Sequence, residues 1–212
     1  KLSIPIATSL NGKDLIKSNH PLSCGVVGTY SRESANLSVK EADLVIFIGS
    51  ETGSMTTHFW AVPSSKVRVI QIDIEPENLG RNYNLEVAIH GDAKVVLERM
   101  TKLADSKNFP ERTEWLSLIT KLRSDWYNKY QPLMESDAKP IRPERLCQEI
   151  SNAAPKNAVF VVDTGHAGMW MGGMVPWGYK VHSDPKIQSL EICEERSSDI
   201  RHVYDLYEEL GC

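Results

Sequence analysis

Leu44-Val45-Ile46-Phe47-Ile48-Gly49 is a continuous apolar run closed by a glycine, the pattern of a strand buried on both faces of a parallel sheet. A second run, Val67-Arg68-Val69-Ile70-Gln71-Ile72-Asp73, follows it. Between Gly28 and Asp43, the small and apolar residues from Ser34 to Ala42 suit a helix lying close against a sheet. Strand and helix in alternation predict an α/β fold, a parallel Rossmann-like sheet with helices on both faces.

Further along the chain, Gly91-Asp92-Ala93 precedes a segment that puts Val95, Val96, Leu97, Met100 and Leu103 on one helical stripe, where the first domain should close. Asp105 to Pro110 reads as a linker. Trp115, Leu118, Ile119, Leu122, Trp126 and Tyr130 then recur at helical spacing, which for aromatic side chains means core or interdomain packing before it means a platform for a sugar or base. Pro140 to Arg145 opens a second α/β unit, with Leu146, Ile150 and Ala153 on one helical face ahead of the strand Ala158 to Asp163. After Met174 the chain turns polar and charged, and Ser198-Asp199 could cap a helix carrying Ile200, Val203, Leu206 and Leu210. At the other end the chain opens on Lys1 and at once enters the strand-like Ile4-Pro5-Ile6-Ala7-Thr8, the expectation being a start partway into a domain.

Composition narrows the function. With 41% hydrophobic and 25% charged residues among 212, the chain can bury a core. A formal charge of −4 supplies no basic stripe for a phosphate backbone, so nucleic acid is not an expected partner. Cys24, Cys147, Cys193 and Cys212 have neither zinc-knuckle nor disulfide-framework spacing, and reduced thiols in a cytoplasmic setting are expected. No apolar run approaches the roughly 20 residues that span a bilayer, so no membrane partner is expected. The six histidines form no ligand pattern, and His58 and His90 read as packing or capping residues.

Ile4-Pro5-Ile6-Ala7-Thr8-Ser9-Leu10-Asn11-Gly12-Lys13 followed by Asn19-His20-Pro21-Leu22 resembles the central domain of acetolactate synthase-like enzymes, within the thiamine-diphosphate-dependent decarboxylase and carboligase family. Gly25 to Tyr30, Ala35-Asn36, Glu41 to Val45, Gly49, Gln71 to Glu77 and Gly91-Asp92-Ala93 continue that pattern in order. Val161 to Trp170, containing Thr164-Gly165-His166, resembles the opening strand and loop of the family's diphosphate-binding domain.

The resemblance implies a division into a central nucleotide-binding-like domain (1–104), a linker and connecting helix (105–140), the start of a diphosphate-binding domain (141–174) and a divergent tail (175–212). It also implies thiamine diphosphate and magnesium as cofactors of the parent enzyme, with Thr164, Gly165 and His166 contacting the diphosphate. Strand ends carrying Gly49, Asp73 and Gly91 would line one sheet edge, where open α/β sheets bind ligands; Gly25, Gly28, Gly49, Asp73 and Asp92 are therefore the candidates for FAD or ADP, which some relatives bind there. The competing reading of the glycines is tight turns, and of the two aspartates helix or turn capping. Where FAD-binding relatives carry an arginine after the strand-end glycine, this chain has Glu51, which would repel a diphosphate. No Gly-Asp-Gly magnesium motif occurs. The expected parent forms or cleaves a C–C bond next to a carbonyl, with a 2-oxo acid or aldehyde as substrate, and assembles as a homo-oligomer; this chain alone is expected to be inactive. The alternative is a non-catalytic nucleotide-binding or assembly module derived from the central domain.

Overall fold

A computed structural model describes residues 2–17, 19–155, 158–162, 165–175, 180–183 and 191–194, the last two segments as backbone. Two strands, β1 (Ile6–Thr8) and β2 (Ser23–Val26), pair in parallel. The helix α1 (Glu33–Lys40) then leads to a parallel three-stranded sheet in the order β3 (Leu44–Ile48), β4 (Arg68–Asp73), β5 (Val87–His90). An acid in the first turn of α1, Glu33, and a base in its last, Lys40, both match the helix dipole. Its inward face is made of Ser34, Ala35 and Ser38, small enough for the Ser34 hydroxyl to reach the Cys24 carbonyl at 3.4 Å.

The parallel α/β class holds, with one difference in detail. The β1–β2 pair and β3–β4–β5 are separate sheets, so among the described residues β3 has a strand on one side only. The run expected to be buried on both faces is therefore half-buried along Leu44 to Phe47 and exposed at Ile48. On α2 (Ala93–Asp105), Val95, Leu97 and Leu103 are exposed and Ala104 alone is buried.

The long helix α3 (Thr113–Met134) is the spine. Its first half supplies Ile119 and Trp115 to a cluster with Cys24 and Ala35. Its second half supplies Trp126 and Met134 to a larger core with Cys147, Phe160, Val162, Met171, Met174 and Val175, so the aromatic stripe is core packing. The helix α4 (Pro143–Ala153) begins on proline, whose missing N–H costs nothing at that position. It buries Glu144, Cys147 and Ser151 and leaves Leu146 exposed, a face one residue away from the expected Leu146-Ile150-Ala153 stripe. The strand β6 (Ala158–Val162) is buried throughout and leads to α5 (His166–Met174). Within 175–212, read from sequence as a tail, the backbone of β7 (Lys180–Ser183) pairs parallel to β6 and that of β8 (Glu191–Glu194) antiparallel to it. The helix expected over 198–210 lies outside the described residues.

Candidate functional site

The C-terminal edge of β3–β4–β5 brings three predicted residues together. The Gly49 amide donates to the Ile72 carbonyl at 2.8 Å, and the Gly91 amide to the Asp73 carbonyl at 2.9 Å, so Gly49, Asp73 and Gly91 form one row. A side chain at Gly49 would meet nothing within 4 Å, which leaves that end of the row open. The two acids are engaged locally. Asp73, buried, accepts at Oδ1 from the Glu75 amide (2.9 Å) and from Asn78 Nδ2 (3.4 Å). Asp92 is the N-cap of α2, its Oδ1 accepting from the Val95 amide at 3.0 Å. His90 is likewise engaged, with Nε2 2.9 Å from the Ile74 carbonyl.

The loop after β3 is tied down by side-chain amides. Gln71 Nε2 donates to the Ser50 carbonyl at 3.0 Å, and Asn82 Nδ2 donates to the carbonyls of Glu51 (3.1 Å) and Thr52 (3.2 Å). Gly28 belongs to this loop's packing. A Cβ there would stand 2.0 Å from the Met55 carbonyl oxygen, and φ is +108°, a conformation and a separation that only glycine accepts. Asn36 braces the same turn by accepting from the Gly28 amide at 2.8 Å.

Gly25 sits elsewhere. It lines a small cavity with Thr8, Lys13, Ser23, Arg32 and Gly172, where the central domain meets α5. Lys13 Nζ, deep in this junction, donates to the carbonyls of Met171 (3.0 Å), Gly172 (2.8 Å) and Val175 (3.0 Å). Arg32 Nε donates to the Gly173 carbonyl at 3.2 Å while its guanidinium lies 4.3 Å over the Trp126 ring. Burial lowers Lys13 from 10.5 to about 7, with the Arg32 charge pushing the same way and Cys147 opposing. Burial also lowers Arg32. The approach is close because two glycines face it. A Cβ on Gly172 would stand 2.8 Å from Leu10 Cδ1, and one on Gly173 would stand 2.9 Å from the Ser31 carbonyl oxygen. Sequence reasoning missed this pair of cations; the Gly172-Gly173 doublet was the available signal.

At the other end of α5, Gly165 is the N-cap and its carbonyl accepts from the Met169 amide at 3.0 Å. A side chain at Gly165 would meet nothing within 4 Å, and His166 is exposed. The first amides of a helix have no intrahelical acceptor and favour an anion, so this end fits a diphosphate. Thr164 lies outside the described residues. Among those residues no group of three His, Cys, Asp or Glu stands together as a metal site would. No helix among them is long and apolar enough to cross a membrane.

A parallel sheet with a glycine-ended row, packed through one long helix against a second α/β unit, defines an α/β protein of the parallel-sheet class. Residues 1–100 match the family described as "Thiamine pyrophosphate enzyme, central domain". The chain is 32% identical over 184 residues to a probable acetolactate synthase large subunit of Methanococcus aeolicus, covering 80% of this chain and 30% of that protein. It is 31% identical over 176 residues to the corresponding protein of Methanocaldococcus jannaschii, covering 80% of this chain and 29% of that one. Against the acetolactate synthase large subunit of Lactococcus lactis the identity is 27% over 177 residues, with 84% and 30% covered. Residues 1–100 belong to the thiamine pyrophosphate enzyme central-domain family, and the chain as a whole is similar to acetolactate synthase large subunits. It spans under a third of the length of these curated relatives.

Proposed function

We propose that this chain is the central domain and the opening of the diphosphate-binding domain of an enzyme that decarboxylates 2-oxo acids and joins the resulting fragment to a carbonyl. The observation that carries the reading is the open N-terminus of α5 behind Gly165, held at its far end by the family's central domain. Thiamine diphosphate would supply the carbanion chemistry. Gly165 and His166 would meet the diphosphate, and the metal would take its ligands from elsewhere. The chain by itself is inactive in this account, and the whole enzyme is a cytoplasmic homo-oligomer acting on a 2-oxo acid or aldehyde. The test is CO2 release from a panel of 2-oxo acids by the polypeptide purified from its natural source. Release that requires both thiamine diphosphate and magnesium supports the reading; no release under any cofactor condition rejects it.

A second reading rests on the open row at Gly49, which leaves room for FAD or ADP at the sheet edge, in a catalytic or a purely nucleotide-binding protein. Since Asp73 and Asp92 already hold backbone amides and Glu51 carries the wrong charge, such binding would depend on backbone contacts. A tryptophan-fluorescence titration with FAD and with ADP tests it, and two flat titrations would dismiss it.

A further inference from the structure

The C-terminal carbonyls of a helix have no partners within it and must find donors when buried. In α5 they find them in another domain. The carbonyls of Met171, which also accepts from the Val175 amide, of Gly172 and Gly173, and of Val175 just past the helix end are all held by Lys13 and Arg32. A lysine amine donates to three acceptors at once only as the ammonium, the form Lys13 holds below about pH 7, and a cation at this end also meets the negative pole of the helix dipole. Helix α5 has nine residues, roughly 13 Å of rigid rod. The Gly172 and Gly173 contacts with Leu10, Tyr30 and Ser31 leave little room to shift. Whatever fixes one end of so short a helix fixes the other.

We propose that Lys13, with Arg32 beside it, is a positioning residue for the diphosphate loop: by holding the C-terminal carbonyls of α5 against the central domain, it sets where Gly165 and His166 stand. The loop's role rests on the reading above, but the mechanical coupling does not, and it can be measured without cofactor. Lys13 touches no reacting atom in this account. Its effect passes through the helix, so the central domain contributes to cofactor affinity without contacting the cofactor.

Hydrogen exchange read by mass spectrometry on the whole chain below about pH 7, where Lys13 is the ammonium, comparing wild type with K13M, K13R and G172A, decides the matter. Losing charge-assisted bonds at one end should cost protection at the other. K13M should expose the α5 amides as far as Met169, by roughly tenfold to a hundredfold, while the amides of β3, β4 and β5 keep theirs. K13R, which keeps the charge and the donors, should recover part of that protection. G172A, which pushes against Leu10 and leaves the charge intact, should unseat α5 in the same pattern. Loss confined to Met171–Val175 would overturn the coupling, and loss spread over every sheet would reduce Lys13 to a general stabiliser. Neither result depends on whether the loop takes a diphosphate.

Discussion

At Lys13 the balance between burial and hydrogen bonding becomes a pH dependence whose sign is fixed. The folded value is about 7 against an ordinary 10.5. Between the two, the unfolded chain holds a proton that the folded chain has released, so unfolding takes one up. Stability from this residue therefore rises with pH across that window, by at most about 1.4 kcal/mol per pH unit. Cys147 is raised from 9.0 to about 11 by burial, which works in the opposite direction above the ordinary thiol range. The clean comparison is thus between about pH 7 and about pH 8.5. Urea midpoints should climb over that interval for wild type and climb less for K13M; parallel curves would contradict the assignment. Gly28 gives a second test at this scale. G28A places a Cβ 2.0 Å from a backbone oxygen at positive φ and should cost more than about 2 kcal/mol in chemical denaturation. The glycine was legible in the sequence, but its reason was not, because the partner carbonyl of Met55 comes from a loop twenty-seven residues downstream. Asp73 and Asp92 were legible as acids at strand ends, and the structure gives both a capping bond. Lys13 by itself looks like any solvated charge in the sequence, and the signal that could have pointed to it was the Gly172-Gly173 doublet it meets.

Elements were legible where periodicity and packing agree. Helix α1 and strands β3, β4 and β6 stand within a residue or two of where their patterns put them, while α3 and α4 contain their stripes and extend a few residues beyond them. Which face turns inward was less legible. On α4 the buried face follows Cys147, whose thiol lies 3.8 Å from the Met171 sulfur, and it is the seating of α5 that selects Cys147 over Leu146. The α2 stripe has the right period, yet Leu103 is 66% exposed, so periodicity marked a helix without marking its partner. Strands β7 and β8 run over only four residues each and show no sustained alternation of polar and apolar residues, too weak a signal to separate from a charged tail. A paired substitution tests the division of labour. Trp126, 3% exposed and stacked under Arg32, should cost about 3–5 kcal/mol on truncation to alanine. The L103A substitution should stay within about 0.5 kcal/mol. Equal losses in the two denaturation curves would mean that α3 is not the spine.

Across the whole molecule, α3 ties the central domain to the unit carrying the candidate diphosphate loop, and α5 is gripped by one while it presents the other's site. That arrangement gives a physical role to a domain that holds none of the proposed diphosphate contacts. The family was legible because its signatures fall in order along residues 1–100, which the family match covers. The mechanical link was not, because it depends on Lys13 and Gly172 meeting across 159 positions of sequence. The most direct measurement is hydrogen exchange on the polypeptide from its natural source, with and without thiamine diphosphate and magnesium. The account predicts that the cofactor slows exchange at the N-terminal amides of α5, from His166 to Met169. Cofactor binding that protects other segments and leaves those amides unchanged would contradict it.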